Sequence, residues 1–145
     1  MKHAACVTVL VGSLVVASVP AWAQAGAVPT GELSLGSVSI GRKVMADGKP
    51  LTAGTYQVRL TAQTAQPVAK GASEGLERWV EFVQGGKVRG REVVSIIPAD
   101  EVKGVAKMNP PARGASRVEL LKGNDYVRIW INRGGTHYLI HLPVA

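Results

Sequence analysis

His137 and His141 stand four residues apart near the C-terminus. On a helix that spacing would place both imidazoles on one face, as a zinc site requires. Here Tyr138, Ile140 and Leu142 alternate with them, which predicts a strand. On a strand the two rings share a face with Leu139 but stand roughly 13 Å apart, too far to hold one ion. They are expected to be semi-exposed or hydrogen-bonded histidines of the last strand. Serine chemistry has no better footing. Ser73, Ser95 and Ser116 all lack the Gly-x-Ser-x-Gly turn that presents a nucleophile. The ten acidic residues leave room for a carboxylate pair of the glycosidase kind. Glu81 and Glu92 lie on the two arms of one predicted hairpin, near one another if it turns at Gly85-Gly86. An ion pair with Arg78, Arg89 or Arg91 is the plainer reading of that hairpin. Gly85-Gly86 and Gly134-Gly135 each follow a strand with no helix behind them, so they are hairpin turns and not phosphate loops. The residues therefore predict no catalytic group, no metal site and no cofactor. A carboxylate-dependent hydrolase remains the outlying alternative.

Binding chemistry has more to build on. Lys87-Val88-Arg89-Gly90-Arg91 is the one local cluster of positive charge. On a regular strand Lys87, Arg89 and Arg91 would line one face, as an anion-contacting stripe or as charges that guard an edge. Tyr126, Arg128 and Trp130 share a face of the penultimate strand, with His137, Leu139 and His141 beside them. That set is either an aromatic and basic platform for sugar rings or bases, or a tryptophan covering the core edge with Arg128 reaching past it. The formal net charge of +7 favours acidic partners. The leading expectation is a binding module for an acidic glycan, a lipid headgroup or an envelope protein. A structural or self-assembling envelope subunit, pairing through exposed β-edges, is the second. Export makes nucleic acid the weaker partner.

The export signal has three parts. Lys2 supplies a positive start, Ala4 to Val19 is an uncharged apolar stretch, and Pro20 ends it. Ala21-Trp22-Ala23 is a small-x-small cleavage site, with Ala23-Gln24-Ala25 as the alternative. The stretch is shorter than the roughly 20 residues of a spanning helix. Cys6 lies too early, at the start of the apolar stretch and not at its end, which argues against a lipoprotein. Cleavage after Ala23 would leave 122 residues, a formal charge of +6 and no cysteine. A periplasmic or extracellular domain follows, with no membrane span and no disulfide. Its stability would rest on its core.

The elements that must carry these residues are short and apolar on alternate positions. After a flexible entry over 24–32, Leu33 to Ile40 predicts a strand with a bulge at Gly36. Arg42 to Ala46 predicts a second strand and Asp47-Gly48-Lys49-Pro50 a turn. Gly54 to Leu60 predicts a strand burying Tyr56, Val58 and Leu60. The polar stretch 63–76 predicts a long loop. Arg78 to Val83 and Lys87 to Ile97 form a hairpin, and the apolar run Val93 to Ile97 places its second arm centrally. Ala99 to Lys107 predicts one short helix. Ser116 to Leu121, Tyr126 to Ile131 and Thr136 to Leu142 form an antiparallel meander. The fold class is all-β: an antiparallel β-sandwich of seven or eight strands over residues 33–145.

Ala46 to Val58 resembles a segment of secreted bacterial β-sandwich modules, including prealbumin-like and carboxypeptidase-regulatory-like domains and uncharacterised envelope proteins. There a phrase of the form G-x-x-L-x-x-G-x-Y-x-V leads from a turn into a core strand. The resemblance implies a fold type and carries no functional residue.

Overall fold

The computed structural model describes residues 28–65, 76–105 and 109–145. The export signal with both cleavage sites, Ser73, most of the 63–76 loop and the end of the expected helix lie outside the described residues. The expectation of a cysteine-free domain is corrected. The chain carries Cys6, and its absence would depend on a cleavage that the structure does not record.

Strand periodicity dictates the architecture. The strands are β1 (Leu33–Ile40), β2 (Val44–Ala46), β3 (Lys49–Leu51), β4 (Gly54–Thr64), β5 (Glu77–Gln84), β6 (Lys87–Ile97), β7 (Ser116–Leu120), β8 (Tyr126–Arg133) and β9 (Thr136–Pro143). One helical turn, α1 (Val102–Val105), lies between β6 and β7. Seven strands form one antiparallel sheet in the order β1-β4-β5-β6-β9-β8-β7, and β2-β3 form a separate hairpin. The long sheet curls until β1 touches β7 and β8, giving a nearly closed sandwich or barrel. Its inward residues make one core. Tyr56, Val58 and Leu60 meet Val80 and Phe82, and these join Val94, Ile96, Ile129, Ile131, Tyr138, Ile140 and Leu142. Tyr56 and Phe82 pack edge to face with centroids 6.2 Å apart.

The expected bulge in β1 is present. Ser34 pairs with Arg59 and Gly36 with Val58, so Leu35 has no residue opposite it, and Gly36 takes φ 95°. The expected C-terminal meander is also present, and β6 is the middle strand of the seven. Lys49–Leu51 differs from expectation: Pro50 sits in a two-stranded hairpin, where an edge strand tolerates its missing N–H. The entry differs too. Val28 packs against the core, and the carbonyls of Pro29 and Gly31 accept hydrogen bonds from Arg78.

The pairing of β6 with β9 covers only Val94 to Ile97. Beyond Val94, β6 runs on beside the β2-β3 hairpin. Gly90 permits that approach, since a Cβ there would lie 3.3 Å from both Ala46 Cβ and Leu51 Cδ1.

Candidate functional site

Two polar clefts lie where the β2-β3 and β5-β6 hairpins meet. Asp47 and Gly48 both take positive φ, 47° and 73°, as a two-residue hairpin turn requires. The turn docks on β6 through both ends of Asp47. Its N–H donates to Glu92 Oε2 at 2.9 Å, and its Oδ2 accepts from Arg91 Nε at 2.9 Å. Arg91 also lies 4.2 Å from the centre of the Trp79 ring. Glu92 and Arg91 point to opposite faces of β6, yet both reach Asp47, because β9 does not cover this stretch of the strand.

The expected stripe is broken by a second bulge. Phe82 pairs with Gly90 and Val83 with Val88, so Arg89 has no residue opposite it. Lys87 pairs with Gln84 and Arg91 with Glu81, which places Lys87 and Arg91 on opposite faces of the sheet. Lys87, Arg89 and Arg91 therefore do not form one cationic face. Arg91 is bound as described. Arg89 is exposed, with neither a hydrogen bond nor an ion pair among the described residues. The bulge has re-aimed it, as bulges do beside binding sites. Lys49 and Lys87 are likewise exposed and unpaired among the described residues. Nearby acids are occupied: Asp47 by Arg91, and Glu81 by Arg59.

Arg89 borders two clefts. One, of about 230 Å³, runs along Val88 to Arg91 against Ala46, Asp47 and Lys49. The other, of about 390 Å³, is enclosed by Pro50, Leu51, Thr52, Tyr56 and Gln84. No family model, curated protein or solved structure matches the chain. Geometry and charge alone therefore indicate what this end of the barrel can hold. The segment Ala46 to Val58 plays a structural part in it: the docked turn, β3 and the buried start of β4.

Tyr126, Arg128 and Trp130 do share the outer face of β8, but they form no open platform. Trp130 is only 4 % exposed. Its Nε1–H donates to His137 Nδ1 at 2.6 Å, and the Arg117 and Arg128 guanidinium groups flank the ring. Glu119 neutralises Arg128. The connection from β6 to β7 lies against this face: Asn132 Nδ2 donates to the Pro111 carbonyl, and Arg117 to that of Asn109. Tyr126 stands apart at the strand's start, 46 % exposed. Burial lowers the His137 pKa. His141 reaches solvent but is lowered as well, first by desolvation against the sheet and then by the Arg128 charge opposite it.

The carboxylate pair separates in the same way as the stripe. Glu81 is opposite Arg91 on the outer face, while Glu92 is opposite Val80 on the inner one. Two acids on opposite faces of a sheet cannot flank one bond.

Arg78 was missed as an interior residue. It is 3 % exposed and alternates inward with Val80 and Phe82. Its Nε donates to the Thr61 carbonyl at 2.8 Å, and its terminal nitrogens reach Pro29 and Gly31. Burial lowers its pKa, an effect partly opposed by Tyr138. The stretch Arg78 to Val83 carries apolar residues on both faces, so its periodicity alone does not say which side the arginine takes.

Proposed function

We propose that this is an exported, non-catalytic domain that binds an anionic ligand at the barrel end bearing Lys49, Lys87 and Arg89. The observation that carries the reading is Arg89. A bulge turns it out of the alternation, no acid among the described residues neutralises it, and it borders both clefts. A guanidinium in that state keeps its whole donor fork for a carboxylate or phosphate. The separation of Glu81 from Glu92 favours binding over hydrolysis by that pair. Self-assembly through the stretch of β6 that β9 leaves unpaired is disfavoured, because antiparallel pairing of two copies there would bring Lys87 and Arg89 against the same cations.

The test is titration of the exported protein with a labelled acidic polymer at several salt concentrations. Arg89→Glu is expected to weaken binding by at least roughly tenfold, the scale of one lost charged hydrogen bond. It should also flatten the salt dependence. Binding that is equal for Arg89→Glu and wild type at every salt concentration would remove this end of the barrel as the site. Arg91→Glu is not an equivalent probe, since Arg91 holds the Asp47 turn.

A further inference from the structure

The larger of the two clefts is selective in its chemistry. Its lining sets the polar groups of Thr52, Tyr56 and Gln84 and one charge, Arg89, beside Pro50 and Leu51. The Tyr56 hydroxyl donates to the Thr52 carbonyl at 2.6 Å, so its proton is committed and its oxygen is left as an acceptor. The Thr52 hydroxyl, 3.2 Å from that oxygen, is then the donor between the two and keeps its lone pairs for a ligand. Gln84 Nε2 makes one long bond of 3.3 Å to the Thr55 carbonyl, which leaves its second hydrogen and its Oε1 for a ligand. A guanidinium takes a carboxylate with two parallel bonds. A hydroxyl that accepts and an amide that can give and accept match neighbouring ring hydroxyls. Pro50 and Leu51 give an acyl chain little apolar wall beside what lipid pockets have. A phosphate dianion would leave the Thr52 oxygen, which can only accept, facing like charge.

We propose that this cleft binds a uronate unit of an acidic polysaccharide, with Arg89 on the carboxylate and Thr52 and Gln84 on the ring hydroxyls. The proposal rests on the anion-binding reading above and narrows it to one ligand class. Lys87, on the strand position paired with Gln84, is placed to meet the carboxylate of a neighbouring unit. Gly54 leaves room for the Gln84 amide in this position, since a Cβ there would stand 2.9 Å from its Nε2.

The experiment is calorimetric titration of the exported protein with tetramers of galacturonate and of glucuronate. The same tetramers as methyl esters, polyphosphate, and vesicles of phosphatidylglycerol are run beside them. The acid tetramers are expected to bind, and the esters to bind at least roughly tenfold more weakly. Arg89→Gln should cause the same loss. Thr52→Val and Gln84→Leu should each weaken tetramer binding several-fold while leaving any polyphosphate binding unchanged. Esters that bind as well as acids would overturn the proposal, as would Thr52→Val and Gln84→Leu proteins that bind tetramer like wild type. Polyphosphate or vesicle binding without tetramer binding would overturn the uronate assignment and leave the anion site standing. Failure of every polyanion to bind would remove both.

Discussion

At the residue scale, the informative side chains are those whose surroundings contradict their type. Arg78 is a cation in the interior, held by main-chain carbonyls and no acid among the described residues. Its work is to tie the stretch Pro29 to Gly31 onto the barrel, and a lysine could not span those carbonyls with one ammonium. His137 is expected from sequence to be semi-exposed or hydrogen-bonded; it proves bonded and buried beneath the β6–β7 connection. Its Nδ1 accepts the Trp130 N–H, so the folded state requires a neutral ring. Protonation would set hydrogen against hydrogen, and burial already lowers its pKa. The sign follows from linkage. An unfolded imidazole titrates near 6.5. Above that pH both states are neutral and His137 gives no pH dependence. As pH falls through that value, the unfolded chain takes up a proton that the folded chain refuses, so stability declines. Denaturant midpoints measured from pH 7.5 down to 5.5 should fall, with a limiting slope of about 1.4 kcal/mol per pH unit for one proton. His137→Gln, which can keep an acceptor for Trp130, should flatten that slope. An unchanged slope would show that His137 is not the group responsible. His141 acts in the same direction and sets the residual slope.

At the element scale, turns and strands were legible because their residues have few alternatives. Asp47-Gly48, Gly85-Gly86 and Gly134-Gly135 supply the positive φ angles that two-residue hairpins need. The β1 bulge was legible for the same reason, since Gly36 interrupts an alternation that resumes out of phase. The β6 bulge was not. Lys87, Arg89 and Arg91 alternate regularly with Val88 and Gly90, and nothing local reveals that Arg89 loses its opposite residue. Beside the shift in register, the β2-β3 hairpin rests on Gly90. That contact predicts a measurable penalty. Gly90→Ala brings a Cβ to 3.3 Å from Ala46 and Leu51, and Leu51 is itself buried. Overpacking of this kind costs about 1–3 kcal/mol. The loss should appear in the unfolding midpoint and, because the hairpin must lift, as faster amide exchange at Asp47. A Gly90→Ala protein as stable as wild type would mean that the hairpin is free to move away from β6.

At the scale of the molecule, the described strands of the long sheet form two meanders, hydrogen-bonded to each other along one seam. β1, β4, β5 and β6 make the first, β9, β8 and β7 the second, and β6 meets β9 over only four residue pairs. The apolar run Val93 to Ile97 announced a central strand, but the choice of β9 as its neighbour is a long-range matter that no local pattern encodes. The connection from β6 carries the chain to the far edge, and the meander returns from there. A seam of four pairs would be a weak hinge if each half had its own core. Instead Val94, Ile96, Ile129 and Ile140 belong to one buried cluster that also holds Tyr56 and Phe82. Neither meander can bury its inward face without the other, so the two halves should unfold together. Amides in β5 and β8, one strand from each meander, should therefore exchange through the same global opening with equal free energies. Ile140→Ala, which truncates a fully buried side chain in the seam, should cost about 2–5 kcal/mol. It should lower protection in β5 and β8 by the same amount. A loss confined to β7, β8 and β9 would show instead that the meanders are separate folding units, with the basic cleft at the hairpin end belonging to the first alone.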